Sequence, residues 1–187
     1  MAAGKTKLAI FDLDGTLFNT DNVNYKAYRE ALLPYGIELD RDYFVKYCNG
    51  RHYKEFVPKI MGNSEHLEEV HDAKKDYYKK FLDEAVINRH LFAMIGAMRD
   101  KYYTAIVTTA SRKNVEDILG RFGVLDSFDY CITQEDIHKP KPDPEGFILA
   151  MEHFGLAPAD CVIFEDSDVG IEAARASGAT VFVADRF

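Results

Sequence analysis

Short apolar runs that end in acids, hydroxyls or glycine recur along the chain at Lys7–Phe11, Tyr103–Val107, Tyr130–Thr133, Cys161–Phe164 and Thr180–Val183. Runs of this length without polar alternation are the signature of strands covered on both faces, as in a parallel sheet. Between them the spacing changes to that of helices. Val115, Ile118, Leu119 and Phe122 follow i, i+3, i+4, i+7, with Ser111 as the cap that starts the helix and Gly123 as its left-handed stop. A second helix is predicted to open at Asp143 with Pro144 in its first position, to bury Phe147, Ile148, Met151 and Phe154, and to end by Gly155. A third runs from Ser167 to Ser177, ahead of Gly178. Strands alternating with helices predict βαβ units, and so an α/β fold built on a parallel sheet.

Residues 18–90 break the alternation. They offer four helical stretches, roughly 21–33, 40–48, 52–61 and 65–84, separated by Pro34-Tyr35-Gly36, Asn49-Gly50 and Gly62-Asn63, and no convincing strand. The segment also holds 8 of the 11 tyrosines. The predicted organisation is therefore an α/β core made of residues 1–17 and 91–187, with a helical insertion at 18–90 placed directly after the first strand. Most of the tyrosines are expected to pack between insertion helices. Lys74-Lys75 and Lys79-Lys80, at i, i+4 spacing, are expected to form a solvated helix face.

Composition and charge narrow the function. With 187 residues, 47% of them apolar, the chain can bury a full core as one domain with a modest insertion. The formal net charge of −8 has the wrong sign for attraction to nucleic-acid phosphates or anionic lipid. It is unevenly spread, since residues 19–90 carry 12 basic and 13 acidic side chains and the rest of the chain carries nearly all of the excess. Cys48, Cys131 and Cys161 are odd in number and lack CxxC spacing, which excludes a disulfide framework or a zinc site. There is no signal-peptide pattern and no apolar run of about 18 residues, so the expected location is cytoplasmic, away from membranes.

The chemistry sits at strand ends. Asp12 and Asp14 follow the first apolar run, and residues i and i+2 of an extended segment point the same way, toward the edge where open α/β sheets bind ligands. Thr108-Thr109 end the second run, a pair of hydroxyls and amides suited to an oxyanion. Lys139-Pro140-Lys141-Pro142-Asp143 follow the third, with Lys139 as the expected fixed cation and Lys141 as its solvated neighbour. Glu165-Asp166 follow the fourth. In a parallel sheet these groups meet at one edge, and four carboxylates, Asp12, Asp14, Glu165 and Asp166, would repel one another unless a cation intervened. Hard oxygen ligands with room for water suit Mg²⁺. A carboxylate nucleophile, a metal, a lysine, an oxyanion-binding hydroxyl and a second acid together suit phosphoryl transfer through an aspartyl phosphate.

These four segments resemble the four motifs of the haloacid dehalogenase superfamily. Asp12-Leu13-Asp14-Gly15-Thr16 is similar to the first, Thr108 to the second, Lys139 in a K-P-x-P-D string to the third, and Glu165-Asp166 to the fourth. The continuation Ser167-x-x-Gly170-Ile171-x-Ala173-Ala174 resembles the subfamily of β-phosphoglucomutase and phosphoglycolate-type phosphatases. The resemblance implies a Rossmann-like core with a helical cap that closes over the substrate. It implies Asp12 as nucleophile and Mg²⁺ ligand, and Asp14 as general acid/base that also meets the metal through its carbonyl. Thr108 and Lys139 would bind the phosphoryl group, while Glu165 and Asp166 complete the metal site. Thr109 and Ala110 would offer backbone contacts to the leaving group; a shift of one residue would exchange Thr108 and Thr109. Family members that displace halide lack an aspartate at the position of Asp14, so phosphate-ester chemistry is expected.

Arg51, after Gly50, sits where relatives place a loop that reaches the active site, and arginine suits a phosphate or carboxylate of the substrate. The expected function is an Mg²⁺-dependent phosphatase acting on a small phosphorylated metabolite. A phosphomutase, in which a substrate hydroxyl replaces water, uses the same motifs. A phosphorylated receiver domain would need its acceptor aspartate at a later strand and no insertion of this size. Nothing in the sequence, such as a heptad seam, indicates an oligomeric state.

Overall fold

The computed structural model describes residues 4–184 and Phe187. Five parallel strands, β1 (Lys7–Phe11), β4 (Tyr102–Val107), β5 (Tyr130–Ile132), β6 (Cys161–Glu165) and β7 (Thr180–Val183), form one sheet in the order β5-β4-β1-β6-β7. From β1 the chain moves outward to β4 and β5, then returns to the other side of β1 for β6 and β7. β1 is therefore central, and the reversal of direction opens a crevice beyond its carboxyl end. The register pairs Phe11 with Ile106 on one side and with Phe164 on the other, so the residues after all three strands emerge side by side.

Alternation along the strands feeds two cores. Leu8, Ile10, Ala105, Val107, Ile132 and Ile163 pack on one face against α7 (Glu145–Phe154) and α8 (Asp168–Ala176). Ala9, Phe11, Ile106 and Phe164 pack on the other against α5 (Arg89–Met98) and α6 (Arg112–Phe122). Ser111 caps α6 by accepting from the Asn114 amide, and Gly123 closes it at φ +67°. α7 begins at Glu145 with Pro144 as its cap, one residue later than the sequence spacing suggests.

Between β1 and β4 lie α1 (Asp21–Leu32), α2 (Arg41–Tyr47), α3 (Tyr53–Met61) and α4 (Leu67–Phe81), close to the four expected helices. They have a core of their own, with Tyr28, Leu32, Phe44, Phe56, Val57 and Val70 buried together. Each such aliphatic or phenyl side chain contributes on the order of 1.5–3 kcal/mol on leaving water.

Two features depart from expectation. The segment does contain strands, β2 (Phe18–Asn19) and β3 (Val86–Ile87), which pair antiparallel where the insertion leaves and rejoins the sheet. Two-residue strands are too short to show a period. α5 also lies at this junction, started by Asn88, whose side chain accepts from the Leu91 amide. Among the described residues, no helix is long and apolar enough to cross a membrane.

Candidate active site

The crevice beyond β1 gathers Asp12, Glu165 and Asp166, whose carboxylate oxygens lie within 4.8 Å of one another. Lys141 enters from the loop before α7. Its Nζ donates at 2.6 Å to Asp12 Oδ1, at 2.6 Å to Glu165 Oε1 and at 3.1 Å to the Val107 carbonyl. The fixed cation is thus Lys141, with 6% exposure, while the expected Lys139 has a side chain 72% exposed and, among the described residues, an ion pair with Asp143 alone, at 3.9 Å. The sequence contains two overlapping strings, K-P-x-P-D from 139 and K-P-x-P-E from 141. Glu145 decides between them. Its carboxylate accepts from the amides of His138 and Lys139 at 2.9 and 2.8 Å, which pins that part of the loop to the first turn of α7 and leaves Lys141 to turn inward.

Two glycines make the cluster possible. A Cβ on Gly170 would sit 1.7 Å from Glu165 Oε1, so the first turn of α8 can approach that carboxylate only without a side chain. At Gly15, with φ +95°, a Cβ would lie 2.1 Å from Asp166 Oδ2. Glu165 is further fixed through Oε2, which accepts from the Asp166 and Ser167 amides at 2.7 and 2.9 Å. Thr16, which the motif spacing left without a role, donates to Asp166 Oδ1 at 2.9 Å.

The electrostatics of the cluster suit a further cation. Burial pushes the Asp12 carboxyl well above the usual range, Lys141 opposes this, and Glu165 and Asp166 add to it. Burial, followed by Glu165, raises Asp166 to about 7. Lys141 is held above its ordinary value because Asp12 and Glu165 override the effect of burial. Three carboxylates against one ammonium leave two negative charges, and a hard divalent cation on carboxylate oxygens fits both the donor set and that deficit.

Asp14 is not the fourth member of the cluster. Its carboxylate turns toward α1, where Oδ1 accepts from Thr20 Oγ1 and, at 3.1 Å, from Asn24 Nδ2. Oδ2 has no partner among the described hydrogen bonds. Asp14 borders two cavities. One, of about 190 Å³, runs past Asp166, Ser167 and Arg51; the other, of about 50 Å³, runs beneath the insertion past Thr109, Ala110 and Lys74. Thr108 is buried and accepts from the Ala110 amide at 3.1 Å, beside Lys141 in a narrow third recess. Thr109 borders this recess as well, and also the cavity beneath the insertion.

The insertion touches the crevice directly. Gly50, at φ +73°, would bring a Cβ within 3.0 Å of Ser167 Cβ, and Arg51 borders both cavities beside Asp14. Arg51 is exposed, with Glu55 at 4.0 Å. Lys74, expected on a solvated face, is instead 5% exposed and lines the smaller cavity with His71, Asn114 and Gln134. Its aliphatic stem packs inside while its neighbours Lys75, Lys79 and Lys80 reach solvent, a division that charge spacing alone does not reveal.

A model of the haloacid dehalogenase-like hydrolases matches residues 9–184. The chain is 29% identical over 172 residues to the fructose-1-phosphate phosphatase of Escherichia coli, covering 90% of this chain and 91% of that protein. It is 28% identical over 184 residues to the β-phosphoglucomutase of Bacillus subtilis, covering 92% and 80%. Among solved structures, CbbY of Rhodobacter sphaeroides superposes with a TM-score of 0.87 at 24% identity, covering 97% of this chain and 87% of that one. That likeness speaks for the fold.

Proposed function

Since the chain belongs to the haloacid dehalogenase-like hydrolases, we propose that it is an Mg²⁺-dependent phosphatase of small phosphorylated sugars that works through an aspartyl phosphate on Asp12. The observation that carries this reading is the Asp12–Lys141–Glu165–Asp166 cluster at the mouth of β1, with Asp14 beside it on a cavity. Relatives named as phosphatases of fructose 1-phosphate and of phosphorylated carbohydrates support the substrate class.

Asp12, Glu165 and Asp166 would hold the Mg²⁺, which when bound offsets the negative charge of the cluster and of the phosphoryl oxygens. Lys141 orients Asp12 through Oδ1, leaving Oδ2 without a described hydrogen bond and free to attack phosphorus. The bond from phosphorus to the ester oxygen breaks as the bond to Asp12 forms. Asp14 gives its proton from Oδ2 to the departing alkoxide, while Thr20 and Asn24 hold the other oxygen in place. Water then attacks phosphorus and surrenders a proton to Asp14, releasing inorganic phosphate and restoring Asp12. Ala110 and one of Thr108 and Thr109 supply amide and hydroxyl contacts to the reacting ester. Lys141 takes the phosphoryl-binding role first expected of Lys139.

Residues 18–90 act as a cap in this reading. In this reading the insertion swings away to admit the substrate, and the β2–β3 ribbon, where its two connections to the core run side by side, is the natural hinge. Closure brings Arg51 toward the substrate and excludes bulk water. The test is phosphate release across aldose and ketose phosphates with and without Mg²⁺, run beside an assay for isomerised sugar phosphate. Release that requires Mg²⁺ supports the proposal. Isomerised product without phosphate release establishes the mutase reaction instead, and no turnover of any phosphate ester rejects both.

A further inference from the structure

Resting on the phosphatase reading above, we propose that Lys74 is a specificity-determining residue that binds a second anionic group of the substrate, at the end of the leaving group remote from the transferring phosphoryl. The cavity it lines includes Asp14, Thr109 and Ala110 but none of Lys141, Glu165 and Asp166, so it belongs to the leaving-group side.

Lys74 is an unusual cation. Its Nζ lies 5.2 Å from the ring of Tyr28 and 4.5 Å from the ring of Tyr78, and among the described hydrogen bonds and ion pairs none engages it. Aromatic faces favour the charge but do not take up three N–H donors. A buried ammonium without an acceptor is costly, and burial pushes Lys74 down to about 8, with Asp14 opposing and Lys75 adding to the effect. Asp14 raises the Lys74 value through its charge, but no hydrogen bond or ion pair joins the two among the described residues; the Asp14 oxygen that is engaged, Oδ1, is held by Thr20 and Asn24.

The other side chains around the cavity favour the same ligand. Burial, then Lys75 and Lys74, pushes His71 down to about 3, so it stays neutral and does not compete for an anion. His71 is stacked on Tyr53 at 3.7 Å, with one ring nitrogen 2.8 Å from the Gln134 amide and the other unpartnered. Asn114 Oδ1 is also buried and unpartnered. Neutral polar atoms that lack partners suit the hydroxyls of a carbon skeleton, while the unpaired ammonium suits a carboxylate or second phosphate on it. A hydroxyl at Lys74 would fill a donor but leave the charge uncompensated.

The test compares matched pairs that differ by one remote anion: 6-phosphogluconate against glucose 6-phosphate for a carboxylate, and fructose 1,6-bisphosphate against fructose 1-phosphate for a phosphate. Affinities are measured by calorimetry on Asp12→Asn protein with Mg²⁺, and kcat and KM are measured on the active enzyme. The protein is expected to prefer the doubly anionic member of at least one pair, and the preferred pair identifies the anion. Lys74→Met should lower that preference by about 10- to 100-fold, mainly through KM, and Lys74→Arg should restore much of it. No preference in the Lys74 protein, or equal losses on both members of each pair in Lys74→Met, overturns the proposal. Because the first of these results needs no variant, a Lys74→Met protein that fails to fold does not protect it. Mg²⁺-dependent hydrolysis of p-nitrophenyl phosphate, which has no remote anion, tests the phosphatase reading separately.

Discussion

Exchanging Lys141 and Lys139 one at a time for methionine separates two residues that the sequence presents as near equivalents. Lys141 is buried and shared between Asp12 and Glu165 at 2.6 Å each. Removing one partner of a buried ion pair costs about 3–5 kcal/mol, because the remaining charges lose their compensation. The two contacts share one ammonium, so the cost is not doubled. Methionine keeps much of the side-chain volume beside Phe147, whose ring is 5.1 Å from the ammonium, so packing loss is small by comparison. Lys139, exposed and 3.9 Å from Asp143, should cost no more than about 0.5 kcal/mol. Urea midpoints at constant slope read the stability difference. The Lys141→Met loss should be largest well above pH 7 and smallest at acid pH, where protonation relieves the facing carboxylates. Phosphate release should fall by two orders of magnitude or more in Lys141→Met and stay within about twofold in Lys139→Met. A Lys139→Met loss equal to or greater than that of Lys141→Met refutes the assignment.

Other consequences follow from the same geometry. Gly170→Ala places a Cβ 1.7 Å from Glu165 Oε1 and should abolish Mg²⁺-dependent activity, whereas Gly96→Ala, inside α5 with open space around it, should stabilise the protein by about 0.5–1 kcal/mol; thermal melting and phosphate release check both. Folded-state carboxyl values raised at Asp12 and at Asp166, the latter to about 7, mean that the ion-free cluster costs increasing stability as pH rises from about 4 through 7. Mg²⁺ must displace those protons, so its stabilising shift in melting temperature should be large at pH 8 and small at pH 5, and an equal shift at both would contradict the metal assignment. Asp14→Asn should spare esters with a good leaving group such as p-nitrophenyl phosphate and slow sugar phosphates by at least about 100-fold, and equal losses would remove Asp14 as the acid.

Short apolar strands and amphipathic helices with clear caps were readable because each is governed by local pattern: β1 and β7 begin and end where the apolar runs do, although β7, at the sheet edge, is largely exposed rather than covered on both faces, and Ser111 and Gly123 bound α6 as expected. Placement at one sheet edge follows from parallel topology, which is why the grouping of Asp12, Glu165 and Asp166 is legible in the sequence. The lysine could not be assigned this way. Two K-P-x-P-acid strings overlap, and the choice between them rests on Glu145 binding backbone amides seven and six residues earlier. That the Asp14 carboxylate turns away from the cluster was not readable, since the partners that turn it, Thr20 and Asn24, belong to the insertion. Lys74 was hidden for a further reason. A long basic side chain is compatible with either face of a helix, and only the packing of α4 against Tyr28 of α1 buries it.

The central claim is that Asp12 carries the phosphoryl group, and chemical trapping tests it most directly. Protein turning over a phosphorylated sugar with Mg²⁺ is quenched in acid, reduced with borohydride and mapped by peptide mass spectrometry. An acyl phosphate at Asp12 is reduced to homoserine at that position, and this conversion should vanish when Mg²⁺ is withheld and in Asp12→Asn protein. An unmodified Asp12 under conditions where turnover is proceeding, or modification at any other carboxylate, contradicts the account.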